Sequence, residues 1–415
     1  MPKRAEQTLT PRLRFPEFIG QTLREVQLKD VTAESTTRNG DKLPITSVMG
    51  VRKAEGIVPM EERIIASDIA RYKIVQKEWF AYNPMRLNIG SIAQWKGEND
   101  ILVSPDYIVF KCLTDADSGI DPSYLNHFRQ SAAWENVVTE GGDGSVRVRI
   151  YYKDLARLYL ALPPFIEQQK LADCLTSLDE VIAAQGQKVA ALKAHKRGLM
   201  QQLFPREGET RPRLRFPEFR NAPEWKEVAI GGMGEVITGN TPATSQRDFY
   251  GVDCLFVSPA DISDSRFVET TKTNLSEVGF AQARPIKARS VLFVCIGSTI
   301  GKVAQNAREC ATNQQINAVV ANSDFSGDFI YYLLDMESER IAELAGRQAV
   351  PIINKTLFSS VKVLAPRLGE QHRIADCLSS LDTQIATESN QLAALKTHKQ
   401  GLMQQLFPSP ESAAI

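Results

Sequence analysis

One stretch of this chain occurs twice. Residues 163–205 read PPFIEQQKLADCLTSLDEVIAAQGQKVAALKAHKRGLMQQLFP, and residues 366–408 read PRLGEQHRIADCLSSLDTQIATESNQLAALKTHKQGLMQQLFP. From Leu162 and Ala365 onward, 26 of 44 aligned positions are identical at a constant offset of 203 residues. The octapeptide PRLRFPEF is also present twice, at residues 11–18 and 212–219. The chain is therefore a tandem duplication of an octapeptide, a variable block and a long apolar-periodic stretch.

Both long stretches carry an unbroken heptad seam, in which spacings of three and four residues alternate. Such a seam is typical of a coiled coil, and the flanking prolines predict helices confined to residues 163–205 and 364–408. About 38 residues at 1.5 Å rise give a rod of roughly 57 Å. We expect the two seams to bury each other; the alternative packs each helix separately on its own block. The candidate residues of this coiled coil are Leu171, Leu178, Gln185, Leu192, Lys196, Leu381, Glu388, Leu395 and Lys399.

Four polar residues interrupt the seams and suggest a register. A duplicated frame around a two-fold axis favours antiparallel helices, in which the two classes of seam position face each other. One register then places Lys196 opposite Glu388 and Lys399 opposite Gln185. Because an unpaired polar group buried in the seam costs roughly 1–3 kcal/mol, we expect this register.

The blocks between these stretches change to short apolar runs broken by Gly, Pro, Asn and Asp, which is typical of mixed helices and strands. We call them the first and second head. The predicted fold class is α+β, with two mixed α/β heads separated by two long antiparallel helices in an internal pseudo-two-fold repeat. The expected segments are a tail and octapeptide at 1–19, the first head at 20–162, the first helix at 163–205, a linker and octapeptide at 206–219, the second head at 220–363, the second helix at 364–408 and a tail at 409–415.

Composition narrows the class of protein. The 415 residues are 43% hydrophobic, enough for packed cores, and 49 Lys and Arg balance 49 Asp and Glu. The chain thus lacks the overall basic charge of many nucleic-acid binders, although a local basic patch stays possible. The six cysteines form no CxxC pair, and neither a signal peptide nor an 18-residue apolar run is visible. These features predict a cytoplasmic protein with reduced thiols and no membrane span.

Motifs for catalysis are incomplete. The segment Gly297-Ser-Thr-Ile-Gly-Lys302 resembles a phosphate-binding loop but is one residue short and lacks the Ser or Thr after the lysine. Asn83-Pro-Met lacks the second proline and the aromatic residue of amino-methyltransferases. Cys174 and His195 lie about 31 Å apart at helical rise, too far to share a metal ion. We therefore expect no catalytic residues, no metal site and no cofactor in this chain.

Two different heads on a rod of fixed length suit a partner with two sites at fixed separation, and duplex DNA is such a partner. Loops in both heads are rich in amides, hydroxyls and arginine, the groups that hydrogen-bond base edges. The alternative is that they are the solvated loops of an unrelated binding protein. The candidate DNA-binding residues are Arg38, Arg52, Lys53, Arg147 and Arg149 in the first head, and Arg247, Lys302, Asn313, Gln314 and Gln315 in the second.

Several motifs resemble type I restriction–modification specificity subunits. They are the duplicated Glu-Gln-x-x-Ile/Leu-Ala-x-x-Leu-x-x-Leu-Asp at 167–179 and 370–382, LRFPEF at 13–18 and 214–219, GLMQQLF at 198–204 and 401–407, and Gly239-Asn-Thr-Pro242. The resemblance covers essentially the whole chain. One departure is that aligning the residues after the octapeptides takes a one-residue gap and places Leu23 where the second half has Trp225.

The resemblance implies two target-recognition domains, each reading one half of a split, asymmetric DNA sequence. It further implies that the repeated helices dock two methyltransferase subunits, with restriction–translocase subunits outside them. S-adenosylmethionine, ATP and Mg²⁺ then belong to these partners, and this chain is not itself an enzyme. Two other functions stay open, namely a coiled-coil scaffold whose heads bind proteins and a self-contained DNA modification enzyme.

Overall fold

The structure is a computed structural model that describes residues 11–53, 55–61, 65–115, 118–132, 134–135, 138, 149–346 and 351–407. The chain divides into two compact units. The first unit extends through Gln185 and also includes the chain from Gln391 onward; the second is Gly186–Asn390. Both boundaries fall inside the long helices, so each unit is built from one head and from helix segments of both repeats.

Local sequence explains the helices. The two long helices begin just after the prolines expected to precede them. Three shorter helices are capped by Asp121, Ser326 and Asn354, whose side chains accept a backbone N–H of the first turn. The helices described are α1 Leu28–Val31, α2 Pro122–Phe128, α3 Tyr152–Leu155, α4 Phe165–Leu203, α5 Ile230–Met233, α6 Glu277–Phe280, α7 Gly327–Met336, α8 Ser338–Glu343, α9 Lys355–Ser360 and α10 Leu368–Leu406. Short 3-10 turns lie at Pro16–Phe18, Ile45–Ser47, Pro217–Phe219 and Arg247–Phe249.

The first head is built from small antiparallel sheets. A four-stranded sheet has the order β2-β9-β6-β7, and β3 pairs with β4, β5 with β8, and β1 with β10. Its strands are β1 Arg24–Gln27, β2 Thr32–Ser35, β3 Met49–Arg52, β4 Gly56–Pro59, β5 Lys73–Val75, β6 Phe80–Tyr82, β7 Ile92–Gln94, β8 Ile101–Val103, β9 Ile108–Cys112 and β10 Tyr159–Leu162.

The second head contains a five-stranded sheet of order β12-β20-β17-β18-β15 and a four-stranded sheet of order β13-β16-β14-β19. Its strands are β11 Lys226–Ala229, β12 Gly234–Thr238, β13 Tyr250–Gly251, β14 Cys254–Val257, β15 Phe267–Val268, β16 Asn274–Leu275, β17 Val291–Val294, β18 Val303–Asn306, β19 Cys310–Thr312, β20 Ile316–Ala321 and β21 Lys362–Ala365. Most strand pairs are antiparallel, but β14 pairs in parallel with β19 and β15 with β18.

The two heads begin and end in the same way. The strand after each octapeptide pairs antiparallel with the strand before each long helix, with Arg24 opposite Leu162 and Lys226 opposite Ala365. A one-turn helix follows the first strand in both heads, at Leu28 and at Ile230. These elements are therefore equivalent in the two heads, although the sequence alignment needs a one-residue gap to match them.

Each core is closed by the end of the helix from the other repeat. In the first unit, the ring of Phe407 lies 5.6 Å from Tyr124 and 5.5 Å from Phe128. In the second unit, Phe204 lies 5.7 Å from Phe329 and 5.8 Å from Trp225. The repeated Leu-Phe pair is therefore a packing element, because its aromatic ring fills the interface between the helix pair and a head.

The long helices pair in opposite directions within each unit. In the first unit, Lys399 Nζ lies 2.6 Å from Asp179 Oδ1, while Leu406 and Leu171 line one small cavity. Residue numbers therefore rise along one helix as they fall along the other. Of the seam residues, Leu171 is buried and the others are half-buried, namely Leu178, Gln185, Leu192, Lys196, Leu381, Glu388, Leu395 and Lys399.

The register expected for these helices is wrong. In the second unit, Lys196 Nζ contacts Asp382 Oδ1 at 2.6 Å, and Glu388 Oε1 is instead contacted at 2.6 Å by Lys188. Lys399 Nζ likewise contacts a carboxylate, Asp179 Oδ1, at 2.6 Å. Pairing seam positions alone gives the wrong partners, because a lysine carries its charge on a four-carbon stem that reaches carboxylates flanking the seam.

The structure refines two segments with apolar patterns. The pattern of residues 329–345 indicates helix, and the segment forms two helices, since α7 ends at Met336 and α8 begins at Ser338. The apolar run 155–162 predicts a strand, but the strand begins only at Tyr159 because Leu155 belongs to α3. Among the described residues, no helix combines the length and apolar character needed to cross a bilayer.

Candidate nucleic-acid interface

Two loops of the second head are brought together by strand pairing. Strand β12 ends opposite the start of β20, with Thr238 paired to Asn317, so the loops beside these ends are neighbours. The Thr241 hydroxyl donates to Gln314 Oε1 at 2.7 Å across the two loops. A Cβ at Gly239 would lie 2.2 Å from the Thr312 carbonyl oxygen, so only glycine allows this close approach. The motif Gly239-Asn-Thr-Pro242 therefore has a structural reason.

Further hydrogen bonds hold the first of these loops. Asn240 Nδ2 donates to the Gln282 carbonyl at 3.0 Å, and its Oδ1 accepts from the Arg284 amide at 2.9 Å. The Arg284 guanidinium donates to the Thr238 carbonyl at 2.8 Å. Arg284 was not among the candidates, because a single exposed arginine between loops carries no sequence motif. Through its bonds to Thr238 and Asn240, Arg284 holds this loop from one side.

The remaining candidates of this head divide into loop-forming and exposed side chains. Asn313 Nδ2 donates to Gln315 Oε1 at 3.0 Å, and Gln315 Nε2 donates to the Ile296 carbonyl at 3.4 Å. Lys302 Nζ donates to the Ile262 carbonyl at 3.0 Å. Asn313 and Gln315 are half-buried, whereas Lys302, Gln314 and Arg247 are exposed. We use the name loop surface of the second head for Thr241, Arg247, Lys302 and residues 313–315, of which Thr241 and residues 313–315 are joined by the hydrogen bonds above.

The segment that resembles a phosphate-binding loop has another role. Strands β17 and β18 pair antiparallel, with Phe293 opposite Val303, so residues 297–302 are the connection of a hairpin. Gly297 and Gly301 have φ of 96° and 93°, conformations that favour glycine. A phosphate-binding loop of the expected type would instead lead from a strand into a helix. The segment therefore supports the loop surface.

Candidates in the first head lie on three separate elements. Arg38 is exposed and donates to the Arg71 carbonyl at 3.2 Å. Arg52 and Lys53 are exposed at the β3–β4 hairpin. Arg149 is exposed just before the turn of α3. Arg147 and the glycine-rich run 141–145 lie outside the described residues.

Contacts near these candidates further define them. Arg52 forms a 3.0 Å ion pair with Glu55, both exposed, and the stem of Lys53 lies against Gly90. Arg38 neighbours Lys73, whose Nζ donates to the Tyr107 carbonyl at 2.6 Å. Burial lowers the pKa of Lys73. Arg38 and the β3–β4 hairpin thus contact different neighbours, and these contacts do not gather the candidates of this head into one cluster.

A repeated contact that the sequence did not reveal attaches each octapeptide to a long helix. Arg14 forms a two-pronged ion pair with Glu167, at 2.7 and 2.6 Å. Arg215 forms the same pair with Glu370, at 2.7 Å for both bonds. All four side chains are at most 9% exposed. The signal in the sequence was the duplication itself, since both partners recur at the offset of the repeat or within two residues of it.

The neighbouring glutamines attach the heads. Gln168 accepts the Asp121 amide at 2.9 Å, and Gln371 accepts the Ser326 amide at 2.9 Å. Asp121 and Ser326 are the residues that cap α2 and α7, so each Glu-Gln pair holds an octapeptide and a head helix on one long helix. The Nε2 of each glutamine donates to a backbone carbonyl of its head and to the carbonyl of a proline that precedes its long helix.

The incomplete catalytic and metal motifs lie in a turn and on an exposed helix face. Asn83 Oδ1 accepts the Met85 amide at 2.9 Å, so this segment is a turn. Cys174 and His195 are both exposed on α4. Within the described ranges, no group of three or more His, Cys, Asp or Glu could hold a metal ion.

Sequence comparison relates the chain to one group of proteins. A family described as "Type I restriction modification DNA specificity domain" matches residues 223–397. The type I restriction enzyme HindI specificity subunit of Haemophilus influenzae is 33% identical over 147 residues, which are 34% of this chain and 32% of that subunit. The putative MjaX specificity subunit of Methanocaldococcus jannaschii is 23% identical over 406 residues, 92% of each chain. The alignment with the HindI subunit thus spans about a third of that subunit, whereas the alignment with the MjaX subunit spans nearly all of it.

Solved structures have the same fold. The S subunit of a type I restriction–modification system from M. genitalium superposes with a TM-score of 0.60 at 12% identity, covering 96% of this chain and 99% of that one. A chain from a study of assembly and conformational transition of the type I system gives 0.54 at 18% identity, covering 93% and 97%. Together with the duplicated motifs, these matches lead to one conclusion. The chain is similar over nearly its whole length to type I restriction–modification specificity subunits, and its residues 223–397 match the DNA specificity domain of that family.

Proposed function

We propose that this chain recognises a bipartite, asymmetric DNA sequence for a type I restriction–modification complex in the cytoplasm. One observation carries the proposal: the loop surface of the second head lies inside the region that matches a DNA specificity domain. Its exposed Gln314 and Arg247 offer an amide and a guanidinium, the groups that pair with adenine and guanine edges. Asn313 and Gln315 shape the loops beside them, and exposed Lys302 supplies a positive charge for a phosphate contact.

The first head supports recognition of a second, different half-site. It joins the helices through the same strand pair and the same Glu-Gln contacts as the second head. Its sheets have another order, however, and its exposed cations Arg38, Arg52, Lys53 and Arg149 lie on other elements. We infer that similar attachment and different loops produce an asymmetric target. Arg147 stays a candidate for this head.

We further propose that the repeated helices dock two methyltransferase subunits. Some exposed positions are identical in both helices, although exposed residues are free to diverge when nothing binds them. The matched exposed pairs include Asp173 and Asp376, Ser177 and Ser380, Lys193 and Lys396, His195 and His398, and Gln201 and Gln404. A surface present twice suits two copies of one partner. S-adenosylmethionine, ATP and Mg²⁺ would then bind to the methyltransferase and restriction–translocase subunits, and this chain would be non-catalytic.

Mapping methylated positions in the host genome, with and without this gene, tests the function directly. We expect a split motif with two different halves to lose its methylation when the gene is removed. Purified chain should then bind a duplex with this motif selectively when the methyltransferase is present. Methyl transfer by the chain alone would instead identify a modification enzyme, and unchanged methylation would favour a protein-binding scaffold.

The loop surface makes a narrower prediction. Gln314→Ala should relax specificity at one base position by about 1–3 kcal/mol, because a base edge loses its amide partner. Lys302→Ala should weaken binding to all sequences alike and lower the salt slope by about 1 if its charge meets a phosphate. Binding titrations at several salt concentrations on single-base variants of the motif separate these effects. Glu343→Ala, an exposed change on α8, is the control.

Variants with unchanged affinity, salt slope and base preference would remove these residues from the interface. The same titrations apply to Arg247→Ala in the second head and to Arg52→Ala and Arg149→Ala in the first.

A further inference from the structure

A buried arginine joins the second head to the helix pair. The Arg266 side chain is only 6% exposed, and its Nη2 lies 2.6 Å from Asp328 Oδ1 on α7. Its Nη1 donates to Ser379 Oγ on α10 at 2.6 Å and to the Tyr332 hydroxyl at 3.0 Å. Its Nε donates to Gln305 Oε1 at 2.6 Å. One side chain thus contacts the sheet, the head helix and the long helix.

The contacts continue to the other long helix. The Tyr332 hydroxyl donates to Asp382 Oδ2 at 2.5 Å, and Asp382 Oδ1 accepts from Lys196 of α4 at 2.6 Å. Lys196 Nζ also lies 5.1 Å from the centre of the Tyr332 ring. We call Arg266, Asp328, Tyr332, Ser379, Asp382 and Lys196 the joint of the second head.

Each charged residue of the joint has a partner of opposite charge, Arg266 with Asp328 and Lys196 with Asp382. A guanidinium removed from water is costly unless ionic and hydrogen-bonding partners replace the water. Burial alone would raise the pKa of Asp328, but Arg266 and Arg289 outweigh it and lower that pKa. Burial and the neighbouring Asp382 raise the pKa of Tyr332, so its phenol stays a donor. Such a set has few alternative arrangements, because any shift leaves a buried charge unpaired.

The joint is also connected to the loop surface. The Arg266 carbonyl accepts the Gln305 amide at 2.8 Å, where β15 begins beside β18. The segment that leads to Arg266 begins at Ser258, just after β14. Val257, the last residue of β14, accepts the Asn313 amide at its carbonyl oxygen at 3.1 Å. The Ile262 carbonyl in this segment accepts Lys302 Nζ. A single connecting segment therefore contacts the loop surface and ends in the joint.

We propose that Arg266 and Tyr332 are positioning residues for DNA recognition. They set how the loop surface of the second head is presented from the helix pair, and so control affinity for its half-site without contacting DNA. This proposal rests on the proposed function.

The first unit supplies an internal comparison. Its helices offer the same set, with Thr176, Asp179 and Lys399 in the places of Ser379, Asp382 and Lys196. In the described part of the first head, His127 contacts this set, with Nε2 3.0 Å from Thr176 Oγ1 and Nδ1 3.8 Å from Asp179 Oδ2. Among the described residues, no arginine of the first head takes the place of Arg266. The effect of the joint should therefore be confined to one half-site.

The test uses the complex with its methyltransferase subunits and duplexes with the motif mapped in the genome. Either half of the motif is scrambled in turn, and exchange of the second head identifies its half-site. Tyr332→Phe and Arg266→Lys should lower discrimination of that half-site about tenfold, within the usual range for coupled sites. Discrimination of the other half-site should not change. Tyr331→Phe is the matched control, because this neighbouring buried tyrosine shares the aromatic cluster but donates none of the joint's hydrogen bonds.

Hydrogen exchange of residues 312–316 without DNA provides a second readout, and it should become faster in Tyr332→Phe but not in Tyr331→Phe. Folded variants that keep full discrimination of both half-sites would overturn the proposal while leaving the function intact. Loss of discrimination at both half-sites would also overturn it, since the effect would then be general destabilisation. A wild-type complex that discriminates neither half-site would refute the proposed function itself. If Arg266→Lys fails to fold, Tyr332→Phe decides the question.

Discussion

At the scale of single residues, the buried arginine–carboxylate pairs are the strongest anchors of the octapeptides. Arg215 and Glu370 are 9% and 2% exposed, and Arg215 also donates to the Ala222 and Pro223 carbonyls. Losing one partner of a buried pair leaves an uncompensated charge. Nearby, Arg373 and Glu218 form a 3.1 Å pair that is about half exposed, where water screens both charges.

These two pairs give a matched prediction. Glu370→Gln should lower the free energy of unfolding by about 3–5 kcal/mol, because Arg215 keeps its charge without a carboxylate. Glu218→Gln should change it by less than about 1 kcal/mol. Urea unfolding of both variants checks the contrast. Equal losses would mean that burial does not decide the strength of these pairs.

His127 predicts a pH dependence of stability. Burial first, and then the charge of Lys399, lower its pKa to about 4, against the raising effect of Asp179. The unfolded chain therefore binds the proton more tightly than the folded chain. Stability from this group is full above about pH 6.5 and is lost as pH falls towards 4. Between about pH 7 and pH 5, the wild type should lose about 2 kcal/mol more than His127→Gln.

The neutral glutamine amide can still contact Thr176, so this variant isolates the proton. His195→Gln changes an exposed histidine of α4 and should retain the wild-type slope. Parallel pH profiles for the wild type and His127→Gln in urea unfolding would show that His127 does not titrate in this way.

At the scale of elements, the two long helices are joined by ion pairs beside the seam, and these pairs match the observed register. The pairs Lys196–Asp382 and Lys399–Asp179 are equivalent in the two repeats. Lys188–Glu388 has no charged equivalent, since the corresponding positions are Gln391 and Gln185. This pair therefore distinguishes the two helices from each other.

Reversing one charge of this pair tests the register. Lys188→Glu should lower the free energy of unfolding by about 1 kcal/mol at low salt, because two carboxylates then face each other. Adding Glu388→Lys should restore it, and high salt should reduce both effects. Lys193→Glu, at an exposed position of the same helix, is the control. Failure of the double variant to recover would place Lys188 and Glu388 in different surroundings.

At the scale of the whole molecule, each head rests on helix segments from both repeats. Phe204, just after the first long helix, packs against Phe329 of the second head, and Gln371 of the second long helix accepts the amide of Ser326, which caps α7. The heads therefore meet closely similar helix surfaces although their sheets differ. A head should be exchangeable if its helix equivalent to α7 retains a capping residue and an aromatic residue three positions later.

Exchange of residues 220–363 for the corresponding block of another specificity subunit tests this modularity. Only one half of the methylated sequence should change, because the first head and both long helices remain. Genome-wide mapping of methylated positions provides the measurement, and re-insertion of the original block is the control. A change in both halves would contradict the assignment of one half-site to each head.

Features that depend on local spacing are readable in the sequence of this chain. The duplication, the seam and the flanking prolines predicted both long helices, and the motifs at 167–179 and 370–382 indicated the family. These properties are accessible because periodicity and helix termination involve residues a few positions apart. Loops rich in amides also pointed to 313–315, although spacing alone could not tell exposed Gln314 from its loop-forming neighbours.

Contacts between distant residues, in contrast, depend on how the heads pack on the helix pair. The helix register, the Arg215–Glu370 pair and the joint around Arg266 all involve partners more than a hundred residues apart. Many polar side chains could satisfy a given charge, and local pattern does not rank them. Tertiary packing selects among them, because a buried charge must find its partner where the chain comes together.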